Sequence, residues 1–303
     1  MHGIILIDKP AGITSHDVVN RVRRILGIKR VGHTGTLDPF ATGLMVTLVG
    51  QATRLAQFLD KDEKEYEAVV QLGSETDTGD LLGTPTANCG LRIADLERRV
   101  ASTEWDKVFS NFRGEILQVP PMYSAKKLEG NKLYELARQG KQIEREPVPI
   151  TIRRLDLSDD FRSSPSAIRI GVACSAGTYI RTLAEDIGRA VGLGAHLTEL
   201  RRTRAGRFDI SKAVPLDELD IACDRERFVI SMNEAVGHLP ELRLNEDRAA
   251  KTINGLSTRT AEGFRSGKAV RMIDPKGELV AIGEFNEAEK TVQPKVVFRV
   301  ESE

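Results

Sequence analysis

GHTGTLDPFATGLMVTLVG, residues 32–50, decides how the rest of the chain is read. Its first twelve residues hold three glycines, one proline and one acid between two apolar regions: Val18, Val19, Val22, Ile25 and Leu26 before it, and Leu44 to Val49 after it. Glycine costs backbone entropy and packs nothing, so such a loop does not serve helix or strand stability. It serves to let backbone approach a ligand closely, or to place one side chain. The candidate side chain is Asp38. Pro39 biases it away from the α region towards extended backbone. Two readings stand here: an aspartate that only starts a turn, as Asp before Pro often does, and an aspartate aimed for chemistry.

Working outward, His2 to Asp8 reads as a buried strand. Thr14 or Ser15 can cap a helix with Asp17 in its first turn. Val18, Val22, Ile25 and Leu26 share one face of that helix, and Gly27 stops it. Leu44 to Val49 has strand length, and Gln51 to Leu59 reads as a short helix. Tyr66, Ala68, Val70 and Leu72 alternate with Glu65, Glu67, Val69 and Gln71, which predicts a strand. Ile93 to Trp105 is helical by period. Residues 120–148 are polar and proline-rich, and read as an excursion from the core with one short helix capped by Asn131 and stopped by Gly140. Pro149 to Leu157 and Ser166 to Cys174 pair around a polar loop. Thr178 to Val191 is a helix with Ile180, Leu183, Ile187 and Val191 on one face. There is no regular alternation of strand and helix, so the class is α+β with a mixed, largely antiparallel sheet. A boundary falls near residues 237–241. Beyond it come a helix around Asp247 to Ile253, a hairpin about Asp274 to Glu278, and a last strand from Val296 to Val300.

Net charge is zero, with 44 basic and 44 acidic residues, which argues against indiscriminate nucleic-acid binding. The distribution is uneven. Residues 21–30 hold five basic residues and no acid, and residues 201–207 hold four. The first cluster flanks the Asp38 loop, and a basic rim around a cleft is the expectation. Three scattered cysteines and five histidines give no metal-ligand spacing and no disulfide framework. We therefore expect no metal, no cofactor and a reducing, cytoplasmic setting. No run reaches the roughly 18 apolar residues of a membrane span.

GHTGTLDPFATGLMVTLVG resembles the catalytic motif of the bacterial tRNA pseudouridine-55 synthases of the TruB type. Further segments agree in order. They are Gly3 to Pro10 with Gly12 and Ser15; Lys64-Glu-Tyr66; Gly73 with Thr76-Asp-Thr78 and Asp80; Pro120 to Lys126; Cys174 to Arg181; and Leu197 to Arg202. Together they span most of residues 3 to 207. The resemblance implies a pseudouridine-synthase catalytic domain over residues 1–236 and a small, β-rich PUA-like domain over 241–303. It implies that uridine 55 in the T loop of tRNA is isomerised to pseudouridine. Asp38 is the nucleophile in that reading, acting on a flipped-out uridine. Leu81-Leu82-Gly83 departs from the many members that carry an acid or alanine before the glycine.

Breaking a glycosidic C–N bond calls for a carboxylate that can attack or stabilise an oxocarbenium-like sugar. The resemblance assigns Arg181 to hold and charge Asp38, which suits a planar fork that never loses its proton. It sets Tyr66 against the target uracil, with Leu200 beside the same base. His33 matches a residue that holds the rearranged RNA loop, and Tyr179 supports the pocket near Arg181. Lys9 is either a phosphate contact or a support for the loop, and Lys126 is a phosphate contact. The implied partner is the T arm of tRNA, bound by a monomer without membrane or obligatory protein partner. A competing reading is a tRNA-binding and folding chaperone without chemistry, but an aimed acid against a polyanion weakens pure binding. A small-molecule transferase using the glycine loop for phosphate lacks the lysine after that loop.

Overall fold

A computed structural model describes residues 1–59, 63–123, 127–128, 131–132, 143–158 and 164–298. The strands are β1 (Gly3–Lys9), β2 (Val31–Thr34), β3 (Thr42–Val49), β4 (Lys64–Leu72), β5 (Ser74–Thr76), β6 (Pro85–Asn88), β7 (Gly114–Gln118), β8 (Lys127–Leu128) and β9 (Asn131–Lys132). They continue as β10 (Val148–Leu157), β11 (Ala167–Cys174), β12 (Ala195–Ala205), β13 (Phe208–Asp209), β14 (Val214–Pro215) and β15 (Val229–Ile230). A second group holds β16 (Glu241–Arg243), β17 (Thr258–Arg259), β18 (Ala269–Ile273), β19 (Leu279–Asn286) and β20 (Thr291–Val297). The α-helices are α1 (Ser15–Leu26), α2 (Ala56–Leu59), α3 (Ile93–Ser102), α4 (Trp105–Ser110), α5 (Ile180–Ala190), α6 (Leu216–Ile221), α7 (Met232–Ala235) and α8 (Glu246–Ile253). The class is α+β, and the large sheet is mixed and mostly antiparallel.

That sheet runs β14-β1-β3-β12-β4-β11-β10-β7, with β2 on β3, β13 on β12 and β15 on β1. It is two half-sheets joined at a seam. One half is built on β1 and β3, paired over seven residues. The other is built on β12, β4, β11 and β10, whose pairings are antiparallel. The join is the parallel contact of β3 with β12, made of only two residue pairs, Arg201 with Thr42 and Arg202 with Gly43. Gly43 is required there. Its φ is +98°, and a side chain would run into the Arg202 backbone.

Local chemistry explains the elements around the seam. Thr14 and Asp17 form a reciprocal capping box, and Gly27 closes α1 in the left-handed conformation. Val18, Val19, Val22 and Ile25 then pack on Ile5, Ile7, Met45 and Val49 of β1 and β3. Helix α5 buries Ile180, Leu183, Ala184 and Ile187 on the β4–β11 half. The helical reading of residues 93 to 105 is corrected: α3 ends at Ser102, and Thr103 takes extended backbone with its hydroxyl bonded to Arg99 O before α4 begins. Residues 51–59 start as a 3₁₀ turn over Gly50–Leu55 and finish as α2. Asn131 is no helix cap; it pairs with Leu128 in a two-residue strand. The rest of the helix expected there lies outside the described residues. The last strand runs over Thr291–Val297, and residues 299–300 of the expected strand lie outside the described residues.

The second sheet runs β16-β18-β19-β20-β17. It shares a core with the first. Leu279, Ile282, Val296 and Phe298 pack with Ile4, Leu6, Leu44, Val46 and Leu48 on the face of β1 and β3 opposite α1. Arg54 donates to Val297 O and lies over the Phe298 ring. Among the described residues no helix is long and apolar enough to cross a membrane.

Candidate active site

The loop between β2 and β3 crosses the seam and carries Asp38. The aspartate does start a turn, since Ala41 N–H donates to Asp38 O at 3.1 Å. Leu37, Phe40 and Ala41 bury themselves in the core of the β4–β11 half, which leaves the Asp38 side chain at the open side, 31% exposed. The loop's own carbonyls face inward and are met one by one. Ser15 Oγ accepts from Leu37 N–H at 2.8 Å and donates to Leu37 O at 3.0 Å. Gly12 N–H donates to Pro39 O at 2.8 Å. Lys9 Nζ donates to Pro10, Pro39 and Ala41 O at 3.1, 3.2 and 2.6 Å. A loop so tied has few ways to relax, which is what aiming a reacting group requires.

Arg181, on the first turn of α5, meets Asp38 edge to edge. Nε lies 2.9 Å from Oδ2 and Nη2 3.1 Å from Oδ1. The other donors are used as well, Nη1 to Thr78 O at 2.8 Å and Nη2 to Tyr123 O at 2.7 Å. Asp80 Oδ2 stands 3.8 Å from Nη1 and is itself fixed by Thr78 Oγ1 at 2.7 Å and Leu82 N–H at 3.0 Å. The guanidinium is 5% exposed and held by backbone carbonyls on its far side, so its bidentate grip fixes the carboxylate in direction as well as place. Burial pushes the Asp38 carboxyl above its ordinary range, with Asp80 acting the same way, while Arg181 and Lys9 favour the charged form.

Tyr66 on β4 and Leu200 on β12 form an apolar wall in the same core as Leu37 and Phe40. Leu200 is in register with Ala68, and Tyr66 with Arg202. Burial raises the Tyr66 hydroxyl above an ordinary phenol, against the pull of the adjacent Arg202 guanidinium. Among the described residues, no group of three or more His, Cys, Asp and Glu could hold a metal ion.

The chain that carries this carboxylate, arginine fork and aromatic wall has known relatives. Residues 23–180 match the TruB family pseudouridylate synthase N-terminal domain, and residues 181–236 match the tRNA pseudouridylate synthase B C-terminal domain. The chain belongs to the TruB family. It is 42% identical over 290 residues to the tRNA pseudouridine synthase B of Solibacter usitatus, covering 94% of this chain and 96% of that one. It is 40% identical over 307 residues to the protein of that name from Geobacillus thermodenitrificans, covering 99% and 100%. Among solved structures it is similar to a chain of an H/ACA RNP bound to a substrate RNA containing 2′-deoxyuridine, with a TM-score of 0.71 and 26% identity over 99% of this chain and 86% of that one. A chain of a Cbf5-Nop10-Gar1 complex gives a TM-score of 0.69 at 27% identity, over 99% and 84%. This TruB family member is an isomerase that makes pseudouridine in tRNA.

The remaining site candidates of this family member fall in different places. Lys9 is 0% exposed and turned inward onto loop carbonyls, which excludes a phosphate contact in this conformation and leaves the supporting role. Burial lowers its pKa to about 8, with Asp38 opposing and Arg202 adding to the fall. Tyr179 caps α5 and is clamped through its backbone by the buried Gln118 amide, at 2.8 Å to its N–H and 3.0 Å to its O. His33 sits half-buried on β2 opposite Thr47, at the entry to the Asp38 loop. Lys126 lies outside the described residues.

Three residues that touch this machinery were not singled out from the sequence. Asp80 stood inside a quoted motif, so a signal existed. Gln118 had none, since a glutamine at a strand end before two prolines looks like surface. Arg202 was hidden in a basic run and is buried completely. The expected basic rim is corrected accordingly for residues 201–207. Arg201 is forked to Asp8 at 2.7 and 3.0 Å, Arg204 faces Glu65 at 3.4 Å, and Arg207 donates to Glu234 O.

Proposed function

We propose that this enzyme isomerises uridine 55 in the T loop of tRNA, with Asp38 attacking a uridine flipped out of the stacked arm. The observation that carries the reading is the two-point grip of Arg181 on a partly exposed Asp38 carboxylate. A group that only binds a polyanion would not be an acid gripped by an arginine fork at the open side of the loop. The Asp38 carboxylate bonds to the sugar as the N1–C1′ bond breaks, the uracil turns while pressed against Tyr66 and Leu200, and the carboxylate leaves again as the C5–C1′ bond forms. The C5 proton leaves and N1 gains one, so no redox partner enters the balance. An apolar wall suits this step because a flipped base exchanges base stacking for protein stacking. We read residues 1–236 as the catalytic domain and 241–303 as a PUA-like unit, acting as a monomer in the cytoplasm.

Tritium release from unmodified tRNA labelled at uracil C5 tests the reading. Wild type is expected to release tritium with pseudouridine mapped to the T loop. Asp38→Asn is expected to fold, bind tRNA and lose at least about 1,000-fold in rate, as removal of a covalent nucleophile does. Substantial release by Asp38→Asn would exclude Asp38 as nucleophile, and tight binding without release by either protein would favour a tRNA-folding role.

A further inference from the structure

Arg202 is a buried cation with no carboxylate in ion-pair reach among the described residues. A guanidinium taken out of water without a counter-charge is costly, so its retention calls for a compensating task. Its surroundings show one. Nε donates to Leu44 O at 2.7 Å and Nη2 to Gly35 O at 3.0 Å. Those two carbonyls stand at the two ends of the Asp38 loop. The backbone of Arg202 makes one of the two residue pairs that join the half-sheets. Its register partner on the other side is Tyr66. The loop glycines are shaped around it. At Gly35, where φ is +69°, a Cβ would stand 3.1 Å from Arg202 Nη1, and at Gly43 it would collide with the Arg202 backbone. Gly35 thus leaves room for the Lys64 and Arg202 side chains, and Gly43 for the strand backbone at Arg202. Nη1 is buried, and the guanidinium lies beside the Tyr66 hydroxyl.

We infer that Arg202 is a positioning residue for pseudouridine formation, riveting both ends of the Asp38 loop to the strand that carries Leu200 and opposite Tyr66. It sets the distance between the carboxylate on one half-sheet and the aromatic wall on the other. Arg181 aims the carboxylate; Arg202 fixes the frame in which it is aimed. The fork sends Nε and Nη2 to two carbonyls in fixed, separate directions, which a single ammonium nitrogen at Arg202 would not reproduce. Arg201, its neighbour at the same seam, points to the opposite face and pairs with Asp8, which makes it the natural control.

The inference rests on Asp38 as the reacting carboxylate, and Asp38→Asn tests that point separately. Arg202→Lys, Arg202→Ala and Arg201→Gln are compared for single-turnover rate at saturating tRNA, tRNA Kd and thermal midpoint. Displacing reacting groups by about 1 Å costs on the order of 100-fold. Arg202→Lys, which keeps the buried charge and the stem, is expected to lose about that much in rate with Kd within about threefold. Millimolar ethylguanidinium is expected to restore at least about tenfold to Arg202→Ala, and Arg201→Gln to stay near wild type. A wild-type rate in Arg202→Lys overturns the inference. So does a rate loss in that variant matched by an equal loss of affinity, or one fully accounted for by the unfolded fraction. If Arg202→Ala does not fold, the lysine variant alone decides.

Discussion

Residues 21–30 and residues 201–207 look alike as sequence and differ as structure. Each is a basic run without an acid. In the second run the chain is a strand, so alternate side chains must enter the protein. Arg202 goes inside, and Arg201 and Arg204 meet acids that neighbouring strands bring alongside, Asp8 and Glu65. In the first run the chain is a helix and the loop after it. Arg21 is taken up by Asp217 and Asp220, and Arg23 donates to Asn20 and Val31 O. Arg24 and Lys29 stay exposed and, with Arg23, line an open cavity of about 530 Å³ without an acid on its walls. A run of like charge stays at the surface or becomes an internal fastening according to the period of the element that carries it. The inner cations should govern geometry and stability, and the outer ones affinity.

Lys9 offers the sharpest test of the inner class. It is a base whose pKa is about 8 when folded against an ordinary value of 10.5. Between those values the unfolded chain binds the extra proton, so stability should rise with pH over that window. The shift corresponds to a rise of at most about 3 kcal/mol. Lys9→Met is expected to flatten that rise in urea unfolding at pH values from about 7.5 to 10. An unchanged slope would remove the buried ammonium as its source. The outer class is tested by Arg24→Glu with Lys29→Glu. Affinity for tRNA should fall about tenfold or more and the salt slope of log K should shrink by about two, with the saturated rate unchanged. An unaltered salt slope would show that the open cavity lies off the RNA path. The smallest effect belongs to Arg204→Gln. Its half-exposed pair with Glu65 is worth no more than about 1 kcal/mol, and neither rate nor salt slope should move. A changed salt slope here would blur the division between the two runs.

Much of this was legible in the residues themselves. The Thr14–Asp17 box and Gly27 bound α1, and the alternation around Tyr66 marked β4. The periodic face of Ile180, Leu183 and Ile187 marked α5. Asp38 and Arg181 came from the family's motifs and meet at hydrogen-bond distance. β12 was harder to bound. Its pattern is broken by irregularities between Leu197 and Glu199 and between Arg202 and Arg204, and one of its buried residues is an arginine. The roles of Arg202 and Gln118 were illegible for one reason. Each bonds to backbone atoms distant in sequence, and backbone carbonyls and amides leave no trace in residue identity.

The shared core of the two sheets also has a consequence in time. Ile4 and Leu6 leave the ribosome long before Leu279, Ile282, Val296 and Phe298, which form part of their cover. Until those residues emerge, that face of the first strand is covered only in part, by Leu55, Phe208 and Val236 of the preceding chain. The nascent protein therefore carries an incompletely covered apolar face until the second sheet is made, exposed to chaperones and to other nascent chains.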